Sequence, residues 1–228
     1  PHGYSLVLLV GESSAGKTVL GKNMAFHLAE GLTWADLSPP EKRRVLYVDL
    51  ESPEDVYRSQ AETIGRSENL VYARNLPQLS SVSGRQEFLF VCQEFSPGVV
   101  FVDSLSEAWP SDEENDNSEA THQMMSIKDL AKSLHCTIVA TWNMGEGNVK
   151  EKFKARGATA RIDRSDLVLN YTELTGNTRQ LKIVKSRYGT NKQTLTLRFS
   201  GEMGFEAITI GDEGYSPSAI SNVQHQAR

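Results

Sequence analysis

The amino-acid sequence predicts an α/β fold, with a mostly parallel central sheet flanked by helices and an antiparallel extension at the C-terminal end. Up to about residue 141, short apolar runs alternate with longer stretches that can form helices, which is typical of βαβ units around a parallel sheet. From residue 167 onward, four short apolar runs follow one another with turn residues between them, which indicates antiparallel strands. We expect residues 1–210 to form one domain and the Ser-, Gly- and Gln-rich residues 211–228 to form a linker or disordered tail.

The elements of the parallel part follow from apolar runs and from residues that begin or end helices. Residues 6–10 are continuously apolar, and the glycine-rich turn after them leads into a helix that Gly31 is placed to end. Pro53 stands in the first turn of the next helix, and Pro97-Gly98 marks the turn before another apolar run. In order, we expect strands at residues 6–10, 45–50, 70–72, 99–102 and 136–141, and helices at 17–30, 53–64, 84–95 and 118–134. The antiparallel extension has predicted strands at residues 167–170, 180–185, 194–199 and 205–210.

The composition excludes several classes of protein. A net charge of −5 argues against nucleic-acid binding over the whole surface. No apolar run approaches the ~20 residues that a bilayer span needs, so we expect a cytoplasmic protein without a membrane segment. Cys92 and Cys136 lie in apolar stretches, which predicts buried free thiols, and the scattered histidines predict no zinc site. Because the chain opens Pro1-His2-Gly3 without a methionine and is in a predicted strand by Leu6, we expect a domain cut from a longer protein.

A phosphate-binding loop is the clearest motif. The segment Gly11 to Thr18 matches G-x-x-x-x-G-K-[ST] without a mismatch and stands between a predicted strand and a predicted helix. Its glycines permit a tight loop whose backbone N–H groups point at phosphate oxygens, and the helix N-terminus adds partial positive charge. We expect Lys17 to reach the β- and γ-phosphates of ATP and Thr18 to coordinate Mg²⁺. The predicted nucleotide-binding residues of this segment are Gly11, Glu12, Ser13, Ser14, Ala15, Gly16, Lys17, Thr18 and Val19.

A magnesium ion bound next to such a loop needs an acid at the end of a neighbouring strand. Residues 99–102 form an apolar strand that ends at Asp103. We therefore expect Asp103, together with Thr18, to hold the Mg²⁺ ion.

The group that polarises the attacking water is less directly indicated. The residue after Asp103 is Ser104, where many ATPase families have a glutamate, and the other candidate is Glu51, just past the predicted strand at 45–50. The carboxyl ends of parallel strands converge on the ligand crevice, which favours Glu51 as the base. The alternatives are that Glu51 only supplies charge at a helix N-terminus, or that Asp49 is the base.

Taken in order, these motifs resemble those of the RecA/DnaB-like P-loop ATPases, and they are most similar to the RepA branch of the hexameric replicative helicases. The resemblance runs from about Ser5 to Phe199 and implies a RecA-like core. It also implies that Glu51, at the end of the strand after the P-loop helix, is the catalytic base. The other segments that carry the resemblance are Val102-Asp103-Ser104-Leu105, Glu114-Asn115-Asp116-Asn117, Arg156-Gly157-Ala158 followed by Asp166-Leu167-Val168-Leu169, and Lys185-Ser186-Arg187-Tyr188-Gly189.

The resemblance implies roles for three more residues. Lys185 and Arg187 are similar to the K-x-R-x-G element of DnaB-like helicases, in which such a pair completes the active site of a neighbouring subunit; this implies a homo-oligomer, a hexameric ring or similar. Because alternate strand positions point the same way, both cations can project from one face, although a solubilising strand face is the alternative. Asn143 stands where RepA-like proteins often carry paired histidines, and its amide is expected to sense the γ-phosphate.

A basic segment follows residue 143 and suggests where a polymer could bind. Such a glycine-punctuated loop can line a ring channel and neutralise the phosphates of single-stranded DNA, with Phe153 stacking on a base. A solvated loop is the alternative. The cations of the segment are Lys150, Lys152, Lys154, Arg156, Arg161 and Arg164.

The sequence therefore predicts an ATP-binding and ATP-hydrolysing domain that works as the motor of a RepA/DnaB-type DNA helicase. One alternative is a KaiC-like regulatory ATPase that acts on protein partners, which the acidic net charge favours. Another is a P-loop small-molecule kinase, which would need a lid of phosphate-binding arginines. The candidates for such a lid are Arg156, Arg161 and Arg164.

Overall fold

The computed structural model describes residues 3–35, 37, 41–110, 117–144, 158–189, 193–201 and 204–208. The strands of this part of the chain are β1 (Ser5–Glu12), β2 (Val45–Asp49), β3 (Leu70–Ala73), β4 (Val99–Asp103), β5 (Thr137–Met144), β6 (Leu167–Glu173), β7 (Thr178–Ser186), β8 (Thr194–Phe199) and β9 (Phe205–Ala207). The helices are α1 (Lys17–Glu30), α2 (Glu54–Ile64), α3 (Val82–Phe95), α4 (Leu105–Ala108), α5 (Asn117–Ser133) and α6 (Ala158–Arg164).

One sheet of nine strands organises the described residues, in the order β3-β2-β4-β5-β1-β6-β7-β8-β9. The strands from β3 to β6 in this order are parallel to one another. The pairs β6–β7, β7–β8 and β8–β9 are antiparallel. This confirms the predicted fold class, a mostly parallel α/β sheet with an antiparallel C-terminal extension and a RecA-like P-loop core.

The sheet is covered on both faces, and the interior positions of its central strands are mostly apolar. Leu6, Leu8 and Val10 point into one core, where α3, α4 and α5 pack against the sheet. Val7 and Leu9 point into a second core on the opposite face, which contains the buried residues of α1. Alternate residues of a strand face opposite sides of the sheet, so the continuous apolar run at residues 6–10 of β1 belongs at its centre.

The strand order places a crevice at the carboxyl end of β1, because the chain leaves β1 without continuing into either neighbouring strand. β1 lies between β5 and β6, whereas β2 is separated from β1 by two strands, β5 and β4. The strands leading into α1, α2 and α4 all end at the same edge of the sheet, since they run parallel. Ligands of open α/β sheets bind at this edge, outside the carboxyl ends of the strands.

The predicted elements differ from the structure mainly around residue 160. A helix, α6, occupies residues 158–164, where the sequence predicted a loop. β6, the first of the four late strands, then pairs parallel with β1, so the antiparallel part begins only at β7. β5 also continues to Met144, beyond the predicted end at residue 141.

Two further predictions concern burial and the ends of the chain. Cys92 and Cys136 are both free and buried, as predicted. The proposed tail at 211–228 lies outside the described residues, so the domain boundary at residue 210 stays a prediction. No helix in the described residues has the length and apolar character needed to cross a bilayer.

Candidate nucleotide-binding site

The phosphate-binding loop connects β1 to α1 and has a backbone that few sequences can adopt. Ser14 and Gly16 have left-handed φ angles of 61° and 94°, and such residues turn successive N–H groups toward a common point. Gly16 directly precedes α1, and its carbonyl accepts the first helical hydrogen bond, from Leu20 N at 3.0 Å. The loop thus opens onto a helix N-terminus, which attracts anions.

Gly11 is required by close packing against β6. It lies opposite Tyr171 in the parallel β1–β6 register, and a Cβ atom at this position would collide with the Tyr171 carbonyl oxygen. Any side chain here would push the loop away from the sheet, so the motif's first glycine has a structural reason in this chain.

Lys17 is held inside the loop. Its side chain is buried, and Nζ donates to the carbonyl oxygens of Gly11 at 3.2 Å and Glu12 at 2.6 Å. Burial lowers the pKa of Lys17 below its ordinary value, while the carboxylates of Asp103, Glu51 and Glu12 act in the opposite direction. The lysine predicted to bind phosphate is therefore close enough to both predicted acids, Asp103 and Glu51, for their charges to affect its pKa.

Asp103 ends β4 and is buried. Its Oδ2 accepts a hydrogen bond from the Tyr47 hydroxyl at 2.8 Å, and its Oδ1 accepts one from the Thr141 hydroxyl at 2.5 Å. Both carboxylate oxygens are thereby fixed in orientation. The donors come from the strands on either side, β2 and β5.

Glu51 follows the tip of β2, beside Asp103. Asp49 lies opposite Asp103 in the β2–β4 register, and the next residue, Leu50, donates its N–H to the Asp103 carbonyl at 2.7 Å. Glu51 itself is exposed to solvent. Two acids therefore stand at adjacent strand ends, one buried at the proposed metal position and one open to water.

Asp49 is a poor candidate for the base. Its carboxylate is buried and lies 2.6 Å from Lys22 Nζ, and both side chains are fully inaccessible to solvent. Burial alone would raise the pKa of Asp49, but hydrogen bonds from Lys22 and the Ser52 N–H hold it below its usual value. A carboxylate bound in this way has neither the access to water nor the basicity that the role needs.

The remaining predicted residues fall in two places. Asn143 is half-buried in β5 and lies opposite Gly11, next to the loop. Lys185 and Arg187 are near the other edge of the sheet, because the end of β7 pairs with the start of β6 and Arg187 N donates to Asp166 O. Lys185 is level with Leu8 of β1 and Arg187 with Leu6, which places them about 10 Å and about 16 Å from Gly11 at about 3.3 Å per residue. This chain does not bring them to its own P-loop.

Lys185 and Arg187 do project from one face, as expected, and there they bind the end of α6. Lys185 Nζ donates to the carbonyl oxygens of Ile162 and Asp163, each at 2.7 Å. Arg187 donates to the Asp163 carbonyl at 3.1 Å and lies 3.4 Å from the Asp166 carboxylate. Both cations therefore cap the C-terminus of α6 in this chain, and their action on a neighbouring subunit stays a prediction.

The basic segment is only partly described. Lys150, Lys152, Phe153, Lys154 and Arg156 lie outside the described residues. Arg164 is exposed at the end of α6.

Arg161 corrects the predicted cation set. It is buried, its guanidinium lies 4.9 Å from the Trp142 ring centroid, and its Nε donates to Gln123 Oε1 at 2.9 Å. A side chain packed between β5 and α5 cannot line a channel or close over a phosphate. Its inclusion among the DNA-binding or lid arginines was therefore wrong.

Sequence reasoning missed three polar residues that support the site, namely Tyr47, Thr141 and Lys22. Thr141 could have been found, because it closes the apolar run of the predicted strand that follows Asp103 along the chain. Tyr47 and Lys22 carry no such mark, since their roles depend on how α1 packs against β2.

Comparison with known proteins gives one family. A family model described as an AAA domain matches residues 3–145, which span the loop, Glu51, Asp103 and Asn143. No curated protein sequence matches the chain significantly.

Proposed function

The chain belongs to the AAA domain family of P-loop ATPases, and from this premise we propose that it binds ATP with Mg²⁺ in the loop at residues 11–18 and hydrolyses it. Thr18 and Asp103 offer the hydroxyl and carboxylate oxygens that Mg²⁺ prefers, and Asp103 is held ready by two hydroxyl donors. The bound ion would neutralise charge on the β- and γ-phosphates. When ATP binds, Lys17 donates to phosphate oxygens instead of the carbonyl oxygens of Gly11 and Glu12.

The observation that carries this proposal is the pair of acids at adjacent strand ends beside Lys17. Asp103 is buried and Glu51 is exposed, so the two carboxylates have different environments and can take different roles. We assign Asp103 to the metal and Glu51 to the attacking water, which it polarises as a general base. Asn143, next to Gly11 in the sheet, contacts the γ-phosphate through its amide.

We further propose that the domain is the motor of a RepA/DnaB-type replicative DNA helicase. Support comes from the ordered set of motifs in the sequence and from the position of Lys185 and Arg187, about 10 Å and about 16 Å from Gly11 of their own loop. In a ring these cations would complete the site of a neighbouring subunit. The basic segment with Lys150, Lys152, Lys154 and Arg156 would contact single-stranded DNA.

The first experiment measures ATP hydrolysis with and without single-stranded DNA at low salt. We expect Lys17→Ala to abolish nucleotide binding. We expect Glu51→Gln to retain binding and lose roughly 10²–10⁴-fold in kcat, whereas Lys132→Ala, which removes an exposed charge on α5, should match the parent. Hydrolysis by Lys17→Ala at the parental rate would contradict the proposal. Absence of both DNA binding and stimulation would remove the motor role.

The second experiment tests whether the site is shared between subunits. Glu51→Gln and Lys185→Met should each be inactive alone, but mixing them should restore part of the activity, because some interfaces then contain an intact Glu51 and an intact Lys185. The solution mass should rise with a non-hydrolysable ATP analogue. A mixture that stays inactive while it assembles would contradict action in trans.

A further inference from the structure

A buried ion pair joins the P-loop helix to the strand that precedes Glu51. Lys22 of α1 and Asp49 of β2 lie 2.6 Å apart, and neither side chain is accessible to solvent. Removing two charges from water is costly, and burying them seldom stabilises a fold more than apolar packing would. A pair that is fully buried directly next to a catalytic candidate therefore calls for a functional reason.

The contacts of Lys22 all lead to the segment that carries Glu51. Besides Asp49, its Nζ donates to Gln60 Oε1 of α2 at 2.7 Å. The ammonium also lies 5.8 Å from the Tyr47 ring centroid and 5.4 Å from that of Tyr57, within the range of cation–π attraction. Lys22 thus binds β2 and α2, the two elements on either side of the Glu51 turn.

Asp49 connects Lys22 to the backbone of the turn. While Oδ2 faces Lys22, Oδ1 accepts hydrogen bonds from Ser52 N at 2.9 Å and Glu51 N at 3.3 Å. Both N–H groups belong to the turn, and one of them is the backbone N–H of Glu51 itself. One side-chain pair therefore connects the Glu51 backbone to α1, which begins with Lys17 and Thr18. The turn is also held by the hydrogen bonds from Leu50 N to the Asp103 carbonyl and from Arg74 to the Ser52 carbonyl, neither of which involves α1.

We propose that Lys22 and Asp49 are positioning residues that hold Glu51 in place relative to the phosphate loop. This rests on the proposed role of Glu51 as the base. Displacing a reacting group by about 1 Å can cost roughly 100-fold in rate. Without the pair, the turn would lose its side-chain connection to α1, which would allow such a displacement. Both side chains are inaccessible to solvent, so the pair acts through Glu51.

The test uses three variants of the full chain. They are Asp49→Asn, the double variant Lys22→Met with Asp49→Asn, and Asn23→Ala as a matched control. Asn23 is the next residue of α1, and it accepts a buried hydrogen bond from Trp34 Nε1 at 2.6 Å, away from the turn. We expect Asn23→Ala to lower the melting temperature and keep kcat. We expect Asp49→Asn to lower kcat roughly 10- to 100-fold and leave the Kd of a fluorescent ADP analogue within about threefold.

The double variant separates positioning from folding. Asp49→Asn leaves Lys22 buried and unpaired, which can unfold the chain, but removing both charges is often neutral for stability. We expect the double variant to melt near the parental temperature and to keep the low kcat. A double variant with a parental kcat would overturn the proposal.

The same substitutions in a Glu51→Gln background decide what the pair acts through. If the pair serves Glu51, Asp49→Asn should cause no further loss of the residual single-turnover rate in that background. An equal loss in both backgrounds would overturn the inference while the role of Glu51 stands. If Glu51→Gln alone keeps the parental rate, the proposed chemistry fails and this inference fails with it.

Discussion

Tyr47 joins the two motifs that flank the proposed magnesium position. Its hydroxyl lies 2.8 Å from Asp103 Oδ2 and 3.3 Å from the Thr18 carbonyl oxygen. Its ring stacks on Phe101 with centroids 5.5 Å apart. Burial, reinforced by the neighbouring Asp103 carboxylate, raises the pKa of Tyr47 well above its usual value, so the hydroxyl stays protonated and remains a donor at neutral pH.

Gly21 makes room for this hydroxyl inside α1. A Cβ atom at position 21 would lie 3.0 Å from Tyr47 Oη and 3.4 Å from its Cε2. Alanine is better than glycine by about 1 kcal/mol within a helix, but here the gain is opposed by the clash with Oη.

We therefore predict that the effect of Gly21→Ala depends on Tyr47. Tyr47→Phe alone should lower the free energy of unfolding by about 1.5–3 kcal/mol, since a buried carboxylate loses a donor. In that background Gly21→Ala should be at least about 1 kcal/mol more favourable than in the parent. Urea denaturation of the four proteins measures both effects. Equal effects of Gly21→Ala in the two backgrounds would show that Oη does not constrain the helix.

Helix α6 is held at its middle and at its C-terminal end by charged side chains. Arg161, in its middle turn, packs on Trp142 of β5, and the last turn receives Lys185 and Arg187 from β7. The helix therefore connects the strand that ends beside the phosphate loop with the cations proposed to act on a neighbouring subunit. Release of Lys185 toward another site would leave the Ile162 and Asp163 carbonyls without these donors.

This connection predicts the behaviour of α6 in hydrogen exchange. Lys185→Met should speed amide exchange in residues 158–165 by roughly fivefold, because a cation at a helix C-terminus contributes about 1 kcal/mol. Lys182→Met removes an exposed charge from the same strand and should leave this exchange unchanged. If Lys185 acts in trans, assembly with an ATP analogue should also speed the exchange of α6 in the parent. Slower exchange on assembly would contradict that release.

The elements that were predicted correctly are specified by residues close to them in the sequence, whereas α6, which was missed, depends on distant residues. β1 and β4 were predictable because apolar runs and adjoining motif residues specify them without reference to the rest of the chain. α6 was missed because it is seven residues long, follows a glycine-containing basic run and is stabilised by Lys185, which is distant in sequence. The same distinction applies at the site, where Asp103 follows from spacing whereas the Lys22–Asp49 pair depends on packing between α1 and β2.

At the scale of the whole sheet, the described residues form two apolar cores, one on each face, and both cysteines belong to the same one. Cys92 of α3 and Cys136, directly before β5, are buried with the residues of α3, α4 and α5. Burial raises the pKa of the Cys92 thiol to about 12 and that of Cys136 to about 11. Neither thiol is accessible or ionised in the folded protein at neutral pH, so their reactivity reports on opening of this core.

We predict that a thiol reagent at pH 8 labels Cys92 and Cys136 only when the core opens. Both should react at similar slow rates, and the rates should rise together as urea lowers the free energy of unfolding. The sign of the pH effect follows from the raised pKa values: an unfolded thiol ionises near pH 8.5 and a folded one does not, so stability is retained below about pH 8.5 and falls above it by up to about 1.4 kcal/mol per pH unit and thiol. Replacing both cysteines with alanine should flatten this alkaline decline, measured by urea denaturation between about pH 8 and 10. Rapid labelling of one cysteine in the native protein would mean that α3 or the start of β5 opens independently of the core.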